Sequence, residues 1–94
     1  MIESTAHVKT EAGAKYLVQM CKHFAHNVDV SYTDTHGECR FEGGVAVFDA
    51  TTDGLRLVVR AASEETVAWA QSAITSHLLR FAFRENLESP DWQR

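Results

Sequence analysis

Apolar and polar positions change period several times along this chain, and each change marks a new element. Residues 4–9 alternate, with Ala6 and Val8 on one side and Thr5, His7 and Lys9 on the other, the pattern of a half-buried strand. Over residues 11–27 the period lengthens. Ala14, Leu17, Val18, Cys21, Phe24, Ala25 and Val28 recur three or four apart, with Lys15, Gln19, Lys22, His23 and His26 opposite. That spacing predicts an amphipathic helix, with Thr10 as its N-cap and Glu11 near the positive end of its dipole. Period two returns at Val28, Val30 and Tyr32. Asp34-Thr35-His36-Gly37 reads as a turn, because glycine tolerates positive φ and aspartate bonds nearby backbone. Residues 38–41 form the return strand, with Cys39 and Phe41 inward. Gly43-Gly44 makes the next turn and residues 45–50 the next strand. Thr51-Thr52-Asp53-Gly54 is a third hairpin signal, Asp-Gly being suited to a type I′ turn. Leu55, Leu57 and Val59 then alternate with Arg56, Val58 and Arg60.

Ser63, followed by Glu64 and Glu65, starts a second helix over about residues 64–86, with Val67, Ala70, Ile74, Leu78 and Phe81 as its core stripe. Leu79 and Phe83 lie nearly opposite that stripe. Either the C-terminal tail, carrying Leu87 and Trp92, or a second subunit covers them. Pro90 ends regular structure. The order β-α-β-β-β-β-α predicts an α+β fold: an antiparallel sheet of about five strands with two helices packed on one face. The other face carries His7, Ser31, Thr33, Glu38, Arg40, Arg56 and Arg60 among Val45, Val47 and Val58, and suits a dimer surface or a shallow ligand platform. With no repeat or linker, residues 1–94 are expected to form a single domain, whose limited core makes a homodimer a natural partner arrangement.

Composition narrows the function classes. A net charge of −4 argues against nucleic-acid binding, which needs clustered Lys and Arg to displace counterions. No run approaches the eighteen or so apolar residues of a membrane span. Met-Ile-Glu-Ser-Thr lacks a basic segment followed by an apolar one, so the expected location is cytoplasmic, with Cys21 and Cys39 reduced. The two cysteines lie far apart in sequence, too few for a zinc pair or a disulfide framework.

The five histidines direct attention to three clusters. In Met20-Cys21-Lys22-His23-Phe24-Ala25-His26, His23 and His26 are three apart on a helix and can approach a common ligand. Cys21 sits roughly 160° around the helix from His23 at about 100° per residue, so the three cannot chelate one ion. A transition-metal site would therefore take His23 and His26 with His77 or a partner chain. The plain alternative is two solvated polar-face histidines. In the second cluster His77, Arg80 and Arg84 flank the core stripe of the second helix and suit a carboxylate or phosphate, with arginine bidentate and histidine tuning the charge. The alternative there is an ion-pair network with Glu38 or Glu85. His36, on the hairpin turn, is the third. No nucleophile elbow, P-loop or dinucleotide fingerprint is present, and no two carboxylates can be paired for acid/base work from sequence.

Three of these stretches, Cys21-Lys22-His23-Phe24-Ala25-His26, Asp34-Thr35-His36-Gly37 and His77-Leu78-Leu79-Arg80-Phe81-Ala82-Phe83-Arg84-Glu85, followed by a late Trp92, resemble the bacterial family known as domain of unknown function 2218. The resemblance covers nearly the whole chain. Family members are often named dihydroxyheptenedioate aldolase, an activity of a much larger metal-dependent barrel that this chain is too short to form. The resemblance also implies a link to siderophore-interacting, flavin-dependent ferric reductases, to which similar domains are found attached. Its motifs fall on Cys21, Lys22, His23, His26, His36, His77, Arg80, Arg84 and Glu85. Asn27 departs from it, standing where a basic residue is expected.

The leading expectation is thus a small binding or accessory module tied to iron and siderophore metabolism. Its ligand patch would comprise Lys22, His23, His26, His36, His77, Arg80 and Arg84. The alternatives are a small enzyme using a histidine as general acid/base, and a purely structural homodimer.

Overall fold

The computed structural model describes every residue except Asn86. Its elements run β1 (Ile2–Lys9), α1 (Gly13–Phe24), β2 (Asp29–Tyr32), β3 (His36–Phe41), β4 (Gly44–Thr51), β5 (Gly54–Ala61) and α2 (Glu64–Phe81). The strands form one antiparallel sheet in the order β1-β5-β4-β3-β2. The α+β architecture expected from the periodicity is therefore present, with β1 and β2 as the two edges. To join them, α1 crosses the whole sheet.

Both helices cover the same face. Ala6, Val8, Ala46, Phe48, Leu55, Leu57 and Val59 project from the sheet to meet Leu17, Met20 and Cys21 of α1 and Ala70, Ile74 and Leu78 of α2. Phe48 lies at the centre of this layer and is wholly buried. Ser63 caps α2 as expected, its Oγ accepting from the Thr66 amide at 3.1 Å. No helix among the described residues is long and apolar enough to cross a membrane.

Several local expectations are corrected. α1 begins at Gly13 and ends at Phe24, inside the expected 11–27, and Ala12 occupies its N-cap without a side-chain bond. Thr10 instead accepts from the Ala12 amide at 3.0 Å and donates to Glu85 at 2.7 Å. The buried stripe is also rotated: Tyr16 and Met20 are buried, whereas Ala14 and Ala25 are exposed. Alanine carries too little surface to fix a helix face, and Tyr16 can be buried because its hydroxyl donates to Glu85. At the other end, α2 stops at Phe81 with Ala82 as its C-cap. The expected end at Asn86 lies outside the described residues.

The turns shift as well. Thr33 builds the β2–β3 connection, its Oγ1 accepting from the His36 amide at 3.1 Å and the Thr35 amide at 3.3 Å. His36 and Gly37 consequently belong to β3 and not to the turn. Glu42-Gly43 is the β3–β4 turn, with Gly43 at φ +87°, and Thr52-Asp53 is the β4–β5 turn, so Gly44 and Gly54 begin strands.

The tail does fold back. Gln93 pairs with Thr5 on the outer edge of β1 through backbone bonds of 2.8 and 2.7 Å. Trp92 Nε1 donates to Thr75 Oγ1 at 3.1 Å, and Leu87 and Trp92 pack on the core. Phe83 nonetheless stays exposed.

Because Phe48 is wholly buried at the centre of this layer, Phe48→Ala is expected to lower stability by about 3–5 kcal/mol. Urea unfolding followed by circular dichroism checks this; a loss under about 1 kcal/mol contradicts the central position.

Candidate functional site

The sheet face away from the helices is built by the alternate residues that the core does not use. Antiparallel register sets His36 opposite Asp49, Glu38 opposite Val47 and Ser31, and Arg40 opposite Val45 and Asp29. These positions line up across β2, β3 and β4, and their side chains form one connected network. His36 Nδ1 lies 2.6 Å from Asp49 Oδ1, and its Nε2 lies 3.0 Å from Glu38 Oε2. Arg40 then donates to Glu38 at 3.3 Å, to Asp29 at 3.1 Å and to Ser31 at 2.6 Å.

A neutral imidazole can donate from one nitrogen only, whereas an imidazolium donates from both. With a carboxylate at each nitrogen, His36 is favoured in the charged form. Hydrogen bonding to Asp49 first, and to Glu38 second, raises its pKa above the ordinary 6.5. Bonding to His36 in turn holds the Glu38 carboxyl below its usual range. The side chains of His36, Glu38, Asp49 and Arg40 are each roughly two-fifths exposed, so the network is ordered yet reachable from solvent.

The helix side carries a different arrangement. His23 and His77 meet across the seam between α1 and α2, ring centroids 4.4 Å apart. Phe24 sits edge-on to His77 at 5.2 Å and Phe81 stacks at 6.4 Å. Burial, followed by the neighbouring His23 and Arg80, pushes the His77 pKa below 6.5. Its Nδ1 is buried with no hydrogen-bond partner among the described residues.

The expected seven-residue patch therefore does not share one space. His23 and His77 are together, and Arg80 lies near them. Lys22 and His26 are exposed, His26 lying beyond the end of α1, and Arg84 lies past the end of α2 over the Phe83 ring at 5.5 Å. His36 is on the opposite face of the sheet. The physical reason is the register: residues 36, 38 and 40 alternate outward while α1 and α2 cover the inward positions. Among the described residues no three His, Cys, Asp or Glu side chains are placed to hold one metal ion.

Asp29, Arg40 and Asp49 carry no chemistry in the sequence reading, and Glu38, expected as a counter-charge to His77, Arg80 and Arg84, instead bonds His36 and Arg40 on this face because its register turns it away from the helices. Counting register outward from the Glu42-Gly43 turn pairs His36 with Asp49, so the signal existed once that turn was located. Glu85 also proves structural. It accepts from Tyr16 and Thr10, which holds the end of α2 to the start of α1. The bond to Glu85 pushes the Tyr16 pKa up to about 12 and holds Glu85 below its usual range.

The family model for an uncharacterised protein conserved in bacteria, DUF2218, matches residues 5–93. The NMR structure of PA4090 from Pseudomonas aeruginosa is similar at 33% sequence identity and a TM-score of 0.84, the match covering 99% of this chain and 96% of that one. No curated protein matches.

A raised histidine pKa stabilises the fold at pH values below the ordinary 6.5, and this contribution is lost as pH rises through the higher folded-state value. His36→Gln is therefore expected to remove a decline in Tm that the unmodified chain shows above about pH 6.5. Parallel melting curves of the two proteins across neutral pH measure this. Curves that stay parallel contradict the assignment.

Proposed function

The chain belongs to the DUF2218 family of uncharacterised bacterial proteins, and from that premise we propose that it is an accessory module that docks a partner protein through the open face of its sheet. The observation that carries this reading is the His36–Glu38–Arg40 network, with Asp49 and Asp29 at its ends. Five charged side chains are held in fixed positions on one solvent-facing surface, beside partly exposed Val45 and Val47. Pre-ordered charges lower the entropic cost of association and set partner choice through complementary potential. The outer edge of β1 is occupied by Gln93, so docking would use the face and not strand addition at that edge.

The partner class we assign is a siderophore-interacting, flavin-dependent ferric reductase, the protein to which the family resemblance ties such domains. Calorimetric titration of the chain against such a reductase tests it. Saturable binding is expected, weakened about tenfold or more by Arg40→Glu and unchanged by Phe83→Ala on the helical side. Absence of binding, or equal loss in both variants, overturns the proposal. Light scattering on the chain alone is run alongside; a stable dimer that Arg40→Glu dissolves would assign the face to a second copy instead.

The orphaned Nδ1 of His77 favours a second reading, a transition-metal site formed by His23 and His77 and completed by a partner's ligands. Burial keeps His77 neutral near pH 7, the form that binds metal. Zinc titration followed by histidine ring resonances is expected to shift His23 and His77 together and leave His36 in place. Shifts confined to other histidines contradict it.

A further inference from the structure

Between the end of α1 and the middle of α2, above β3 and β4, the core does not close. An apolar cavity of about 40 Å³ remains there. Cys39, Ala46 and Phe48 of the sheet form its floor, with Phe24 of α1 on one side and Ala73 and Ile74 of α2 on the other. The α1 side is sealed because that helix sits low over β3: a Cβ on Gly37 would come to 2.5 Å from Cys21 Sγ. Small side chains account for the gap, since Ala46, Ala70 and Ala73 line it where larger ones would fill it.

The mouth of the cavity is aromatic. Phe41 and Trp69 meet edge-on there, ring centroids 5.4 Å apart, and Trp69 is 57% exposed. The same two rings line a shallow outer rim together with Glu42, Glu65 and Thr66. Backbone bonding holds both carboxylates on that rim, because the Ala62 amide, just before α2, donates to the Gly43 carbonyl at 2.9 Å. Glu42 and Glu65 are exposed, and neither forms an ion pair among the described residues. Glu64, by contrast, is neutralised by Arg94 at 2.6 Å.

The two zones ask for different chemistry. One water needs about 10–15 Å³ of such space, so the cavity takes two or three carbon atoms. A polar group placed inside would lose its hydration and find no partner in the apolar lining. At the rim, open aromatic faces beside two unpaired carboxylates attract a cation.

We propose that this is a binding site for a small primary alkylammonium ion, its methyl end in the cavity and its ammonium at Glu42 and Glu65. The chain passes Phe41 and Trp69, and the ammonium keeps part of its hydration at the rim. A lysine side chain of a partner protein fits poorly, because its free end is the charged one and its apolar end is tied to backbone amides. A chain headed by a carboxylate meets repulsion at the rim. The site lies on the helical side of the sheet, so the proposal is independent of docking at the open face.

The test is an NMR titration of the isotope-labelled chain with n-hexylammonium, n-hexanol and hexanoate at neutral pH. Hexylammonium is expected to shift the Trp69 indole resonance saturably, with a dissociation constant on the order of millimolar for so few atoms. The Trp92 indole, bonded to Thr75 at 3.1 Å, is expected to stay in place. Hexanol is expected to bind about fivefold more weakly, and hexanoate about tenfold or more. Glu42→Gln combined with Glu65→Gln is expected to bring hexylammonium to the level of hexanol. Ala73→Leu, which fills the cavity, is expected to abolish binding of both. Should Ala73→Leu not fold, the double glutamine variant decides, since both of its sites are exposed. The proposal is overturned if Trp69 shows no saturable shift, if hexanoate binds as well as hexylammonium, or if the double variant loses nothing. Tighter binding of acetyl-leucyl-lysinamide than of hexylammonium also overturns it, and assigns the site to a protein partner.

Discussion

The structure depends on one steric requirement: the inward side of the sheet is apolar from β1 to β3, and one helix alone is too narrow to cover it. α1 and α2 must therefore lie side by side on that face. Since β1 and β2 are opposite edges of the sheet, α1 is the crossing segment, and the four later strands follow as a plain meander. The same requirement leaves the second face bare. What collects there is set by register: every residue whose neighbour turns inward must turn outward. The charge network of β2, β3 and β4 is the consequence of a core built on the other side.

Much of this arrangement was legible in the sequence, because periodicity reports on burial. The shift between spacings of two and of three or four locates all seven elements, and the core stripe it predicts for α2 is buried at Val67, Ala70, Ile74 and Leu78. The α1 stripe was less legible. Ala14 and Ala25 fit the period but carry little apolar area, while Tyr16 and Met20 carry a great deal and decide the orientation. Tyr16 was hidden for a further reason: its burial depends on Glu85, 69 positions later, a partner that no local window contains.

Turns limited the reading of the site. Asp34-Thr35-His36-Gly37 has the composition of a turn, yet the Thr33 hydroxyl closes the connection early and releases His36 into β3. A displacement of that kind changes a solvated loop histidine into the centre of a two-carboxylate clamp. Gly37 misled for a related reason. Its lack of a side chain serves the helix above it and not a special backbone angle, and sequence alone does not distinguish those two uses of glycine. The pairing of His23 with His77 followed from the helices sharing one face, and the separation of His36 from them followed from the alternation that had already assigned Glu38 and Arg40 outward.

The seat of Cys21 above Gly37 also makes positions 21 and 37 a single volume divided between two residues. Any carbon added to the strand at 37 must be taken from the helix at 21, or the helix must lift and open the layer around Phe48. Related chains that keep this close packing should trade size between the two sites, with an alanine at 37 matched by an alanine or glycine at 21.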